Sequence, residues 1–177
     1  MVSLMDVQAR WVYSEILEGT LAKFYDGGLN TDALRERRKA GLPFDDLTAD
    51  ERYTLAFQGA HVRQTLFVFF TGIEHFDLLQ LTQEQLGKLI VPPDVWLDSQ
   101  GQFYLFSHYI TTTTDEPVDA RSVQQPADGY KAPTDPLTLG KIFNNPVLLD
   151  GYHRAALFWK YGPADGIIPA YMPRLAK

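Results

Sequence analysis

The sequence predicts an α+β fold, a helical N-terminal half packed on a small mixed-sheet core, with the change near residue 90. Three observations predict it. Apolar residues in the first 90 positions recur mostly at three- and four-residue steps, the period of a helix. After Pro93 the alternation shortens to two residues, the period of a strand. The last forty or so positions then read helix, strand, helix, strand. The two regions, 1–90 and 91–177, differ in texture, yet 177 residues suit one compact unit.

Leu4, Val7, Trp11, Ile16 and Leu17, then Leu21, Phe24 and Tyr25, mark the apolar face of a first helix. Asp26-Gly27-Gly28 ends it, because glycine reaches the left-handed conformation that a helix terminus often uses. Asn30 is a candidate N-cap for a second helix, Asp32-Ala33-Leu34-Arg35-Glu36-Arg37-Arg38-Lys39, which stops at Gly41. Its basic residues are few and interleaved with Glu36, as on a solvated face rather than in a nucleic-acid groove. Thr48 and Glu51 have the spacing of a capping box, which opens a long helix. Its apolar residues Tyr53, Leu55, Phe57 and Val62 and the run 66–70 broaden into a belt that implies burial on several sides. Thr82 and Gln85 repeat the capping signature before a short helix that should stop near Pro92-Pro93.

Beyond Pro93, Val95 and Leu97 begin a predicted β-hairpin that turns at Asp98-Ser99-Gln100-Gly101. Its second strand places Phe103, Leu105, Ser107 and Tyr109 on one face and Tyr104, Phe106 and His108 on the other, with threonines 111–114 extending it. Residues 115–136 hold four prolines and Gly129 and form a long loop of the kind that serves as lid, binding loop or insertion. A helix over 137–143, a strand over 146–149, a helix over 152–161 and a strand over 167–171 complete the chain.

Composition narrows the function. Sixteen Lys and Arg against 22 Asp and Glu leave a net charge of −6, the wrong sign for a surface that grips nucleic acid throughout. Any anion site must be local. The absence of cysteine excludes disulfides, thiolate zinc sites, thiol nucleophiles and thiol redox switches. The longest unbroken apolar run, 66–70, is far below the roughly 20 residues of a membrane-spanning helix, so no membrane partner is expected. The first ten residues carry Asp6 and lack a basic stretch followed by an apolar block, so the expected location is cytoplasmic.

The stretch with chemical content is Asp150-Gly151-Tyr152-His153-Arg154, where an apolar strand ends and an apolar-periodic helix begins. The first turn of a helix presents unpaired amides and the positive end of the backbone dipole, and a glycine lets an oxygen approach closely. Arg154 adds a planar donor fork and His153 a donor that charges near neutral pH. Tyr152 could stack on a base or cover the edge of the core. The plain alternative is an ordinary turn in which Asp150 caps the helix and Arg154 pairs on the surface.

This arrangement resembles the core motif of the ParB/sulfiredoxin-like superfamily: a strand ending in Asp-Gly, one residue, His-Arg, then Ala-Ala on a helix, a glycine and another strand. The match runs over Pro146-Val147-Leu148-Leu149-Asp150-Gly151-Tyr152-His153-Arg154-Ala155-Ala156-Leu157-Phe158-Trp159-Lys160-Tyr161-Gly162 and then Ile167-Ile168-Pro169-Ala170. The resemblance implies a nucleotide site, with phosphates held through the residues matching Gly151, His153 and Arg154; ATP, ADP and CTP are the candidate nucleotides. Two departures limit it. Sulfiredoxins place a catalytic cysteine directly before His-Arg, where this chain has Tyr152, so sulfinic-acid reduction is excluded. Chromosome-partition members carry a helix-turn-helix region after this core, and here few residues follow Tyr171, so DNA segregation is not expected.

Other candidates are weaker. His61 and His75 would share a face only on an unbroken helix, which Gly72 opposes, and no third ligand completes a metal pattern. His108 could enter a cleft from its strand. Asp94, Glu116, Asp119, Asp128 and Asp135 lie in or beside loops, where any one could hold magnesium or act as a base. The expectation is therefore a nucleotide- or phosphate-binding protein, as a small-molecule phosphotransferase or nucleotide hydrolase if it is an enzyme. The alternative is a non-catalytic interaction protein or homo-oligomer whose helical half is the partner surface. A nuclease is disfavoured by the charge.

Overall fold

The computed structural model describes residues 1–17, 31–62, 68–91, 105–112, 121, 123–142 and 144–175. The fold is α+β, with helices in the N-terminal half and a mixed five-stranded sheet. The strands are β1 (Val2–Ser3), β2 (Ile73–Leu81), β3 (Leu137–Ile142), β4 (Asn145–Asp150) and β5 (Ile168–Leu175), in the order β1-β2-β5-β3-β4. The helices are α1 (Leu4–Glu15), α2 (Thr31–Lys39), α3 (Ala49–Val62), α4 (Gln83–Gly87), α5 (Phe106–Thr111) and α6 (Tyr152–Tyr161). The chain divides into two compact units, residues 1–76 with 175–177 and residues 77–174. Among the described residues no helix is long and apolar enough to cross a membrane.

In the first unit the local signals act as read. Ser3 caps α1, its hydroxyl accepting from the Asp6 amide at 3.1 Å. The capping box at the start of α3 is complete: the Thr48 amide donates to Glu51 at 2.8 Å and the Glu51 amide donates to the Thr48 hydroxyl at 3.3 Å. Ala9, Val12, Tyr13 and Ile16 of α1 pack with Leu34, Phe44, Leu47, Leu55 and Ala56 in one buried cluster. The basic stretch of α2 is spent inside the unit: Arg37 pairs with Glu51, Lys39 with Glu36, and Arg38 lies 5.3 Å from the centre of the Tyr13 ring. That is a solvated and packed face, not a groove for phosphates. The long helix is described as far as Val62, a short 3-10 turn lies at Val68–Phe70, and Gly72 at φ 75° leads into β2, which carries His75. The two histidines therefore share no helix.

The second unit departs from expectation in two places. Residues 137–143 were expected to be helical, yet Leu137–Ile142 is strand β3. It pairs antiparallel with β4 (Leu139↔Leu148, Gly140↔Val147) and parallel with β5 (Leu137↔Ala170), so its backbone is satisfied on both sides. Leu137, Thr138, Leu139 and Gly140 are all buried, and a central strand covered on both faces shows no alternation to read. The second correction concerns Phe106–Thr111, which is helix α5 and not a hairpin strand. The apolar and aromatic residues of 103–110, Phe103, Tyr104, Leu105, Phe106, Tyr109 and Ile110, are dense enough to fit either period. Phe106 and Ile110, four apart, are the residues that bury. His108 consequently sits exposed on a helix, and Thr112 is the C-terminal cap of that helix rather than part of a strand. The expected first hairpin strand and turn, 95–101, lie outside the described residues, as do the predicted stops at Gly27-Gly28 and Pro92-Pro93, the candidate cap Asn30 and the acids Asp94, Glu116 and Asp119.

α4 opens with the expected capping box at Thr82 and Gln85. α6 carries the chain from β4 to β5 across β3, and Ala155, Ala156 and Phe158 bury into the same cluster as Leu137, Leu139 and Leu148. Alanines let the helix approach the sheet closely. Close approach also governs Gly87, where an added Cβ would sit 2.9 Å from Cη2 of Trp159 and 3.3 Å from Cβ of Ser107. Gly87→Ala should therefore destabilise the protein by about 1–3 kcal/mol through overpacking. Urea denaturation checks this: the midpoint should fall with the slope unchanged.

Candidate functional site

The end of β4 is shaped by a bulge. Leu139 pairs with Leu148 but Thr138 pairs with Asp150, so Leu149 is one extra residue on β4. Such a bulge re-aims the side chain that follows it, here Asp150. Gly151 then adopts φ 94°, ψ 23°, a left-handed conformation that side-chain-bearing residues rarely take. The chain turns sharply into α6, whose first internal bond runs from the Ala155 amide to the Gly151 carbonyl at 2.8 Å.

Arg154 returns over this turn. Its Nη2 donates to Oδ2 of Asp150 at 2.8 Å, and its Nη1 lies 3.9 Å from Oδ2 of Asp135 in the preceding loop. The Arg154 and Asp150 side chains are only 24% and 18% exposed, so water screens their ion pair incompletely. Nε of Arg154 is buried with no hydrogen-bond partner. A Cβ on Gly151 would stand 2.5 Å from Cδ2 of Leu137 and 2.9 Å from Nη2 of Arg154. The glycine is thus required twice, by its dihedral and by what occupies the space beside it. The open approach for an oxygen expected at this glycine is filled on its side-chain face by Leu137 and by the guanidinium itself.

Of the five sequence-selected residues, Asp150, Gly151 and Arg154 form one contact group. His153 is exposed on the first turn of α6, with no hydrogen bond or ion pair among the described residues. Tyr152 covers the core edge rather than offering a stacking face. Its hydroxyl donates to the Leu148 carbonyl at 2.8 Å, and its ring meets Tyr109 edge-on at 5.9 Å. Of the loop acids, Asp128 pairs with Lys131, and Asp135 faces the turn. Leu137, which closes the glycine side, was hidden by the helical reading of residues 137–143. Among the described residues no three His, Asp or Glu side chains are grouped to hold a metal ion unaided. Two hard oxygen donors beside one guanidinium suit magnesium only when phosphate oxygens complete its shell.

Burial, with Tyr109 and Asp150 beside it, pushes the Tyr152 phenol well above its ordinary value of 10.0. The fold favours the protonated form, so its contribution is intact below pH 10 and is lost as pH rises above that. Tyr152→Phe should cost about 1 kcal/mol at neutral pH through the lost hydrogen bond. Above pH 10 its stability should fall less steeply than that of wild type, by about 1.4 kcal/mol per pH unit. Chemical denaturation across alkaline pH measures both; parallel curves would contradict the assignment. Gly151→Ala should lose at least about 1–3 kcal/mol, read from the same denaturation curves.

Compared with known protein families, characterised proteins and solved structures, the chain matches none.

Proposed function

We propose that the chain binds a phosphate-bearing small molecule of the nucleotide class, taken as its magnesium complex, at the turn between β4 and α6. One observation carries the reading: a single guanidinium, Arg154, lies between two carboxylates, Asp150 and Asp135, at the first turn of a ten-residue helix. The helix start and Arg154 attract phosphate oxygens. The two carboxylates repel a bare oxyanion, and they favour one that brings its own divalent cation. Binding then exchanges partners: phosphate takes the guanidinium, Nε included, while the carboxylates turn to the ion. Asp135 is the acid placed to serve as a base if a hydroxyl acceptor follows. The resemblance of residues 146–170 to the ParB/sulfiredoxin-like superfamily supports the same ligand class. ATP, ADP and CTP are the first candidates.

A second reading is a non-catalytic interaction protein that uses its helical half. It is favoured by Tyr53 and Phe57, 62% and 56% exposed and one turn apart on α3. It is favoured too by the Arg154 charge being matched within the fold by Asp150.

Thermal melting separates the two. A magnesium nucleotide at about a hundred times its dissociation constant should stabilise the fold by about 2.7 kcal/mol, a rise in Tm of about 5–10 °C. The rise should need magnesium, vanish in Arg154→Ala and shrink in Asp135→Asn, while inorganic phosphate alone gives little. No shift with any nucleotide at millimolar levels would leave the interaction reading.

A further inference from the structure

We propose that residues 123–135 form a gate beside the Gly151 turn, anchored on the last turn of α6 and latched at its far end by Asp135 on Arg154. Both ends of this loop are held by one helix. The Tyr161 hydroxyl donates to the Val123 carbonyl at 3.4 Å, and Lys160 donates to the Arg121 carbonyl just before it. At the other end Nη1 of Arg154 lies 3.9 Å from Oδ2 of Asp135. Arg154 and Tyr161 are about two turns apart on α6, roughly 10 Å along its axis, whereas a loop of this length, extended, reaches about 40 Å. The loop therefore carries slack, part of it taken up by a turn in which the Gly129 amide donates to the Pro126 carbonyl at 2.9 Å.

The shut form is easy to leave. Of the loop's side chains, Val123 and Tyr130 pack against the buried cluster of the second unit, while those of 124–128, 131, 132, 134 and 135 are exposed. The Tyr130 hydroxyl is buried without a hydrogen-bond partner among the described residues. Such a hydroxyl has given up its hydrogen bonds to water, and opening the loop restores them. The latch is weak as well, a long ion pair whose Asp135 side chain is 59% exposed. Segments with few buried contacts open locally while the rest of the fold stays intact. Opening takes Asp135 away and frees Nη1 of Arg154 for an oxyanion, so the loop sets access to that guanidinium. What the gate admits rests on the ligand reading of the turn, whereas the latch itself exists without ligand.

Trypsin cutting after Lys131 reports opening, because a protease needs freed backbone on either side of the bond. Lys141, inside β3, is cut only when the sheet unfolds and is the reference. Initial rates on the intact, ligand-free chain, read by mass spectrometry, should be about tenfold or more higher at Lys131 than at Lys141. Asp135→Asn should speed cleavage at Lys131 about twofold to fivefold. Tyr130→Phe, which keeps the ring and removes the unpaired hydroxyl, should slow it about fivefold or more. Lys131 cut no faster than Lys141, or as fast as in a free peptide of residues 123–136, overturns the gate. So does an unchanged rate in Asp135→Asn, or an unchanged or faster one in Tyr130→Phe. A magnesium nucleotide that raises Tm while these rates fail leaves the ligand site and removes the gate. The expected rates with no nucleotide effect on Tm keep the gate and remove the nucleotide.

Discussion

At the end of β4 the backbone must reverse from strand to helix within one residue, and the left-handed conformation of Gly151 is what permits it. That conformation sets where α6 starts, and hence which of its faces meets β3. Ala155, Ala156 and Phe158 are delivered to the core, and Arg154, one turn on, is returned over the glycine to Asp150. Packing and charge therefore share one backbone position. Leu137 fills the space where a side chain at 151 would lie, so the core of the second unit also depends on that residue having none.

The bulge at Leu149 supplies the other half of the geometry. Without the extra residue Asp150 would occupy a neighbouring register and point to the opposite face of the sheet. With it, the carboxylate stands beside the guanidinium, and Asp135 approaches from the loop before β3. Two negative groups and one positive group at a helix start are not a simple anion seat. They are a polar cluster with one more negative than positive charge. Within it the buried Nε of Arg154 has no hydrogen-bond partner among the described residues.

Local rules were readable wherever a residue acts on its own backbone. The capping boxes at Thr48 and Thr82, the amphipathic α1 and the strand-to-helix change at Asp150-Gly151 follow from hydrogen bonds made within a few residues, and sequence determines those directly. The α+β class was equally legible, because periodicity reports which faces bury. What the tertiary structure alone decided is everything that depends on distant partners. Residues 137–142 became a strand because β4 and β5 stand on either side, and aromatic-rich 106–111 became a helix because Phe106 and Ile110 found the core. Of the two loop acids among the described residues, Asp128 and Asp135, the fold brought Asp135 within 3.9 Å of Arg154. A side chain's spacing along the chain fixes its local geometry, whereas its charge partners are fixed by contacts that no spacing encodes.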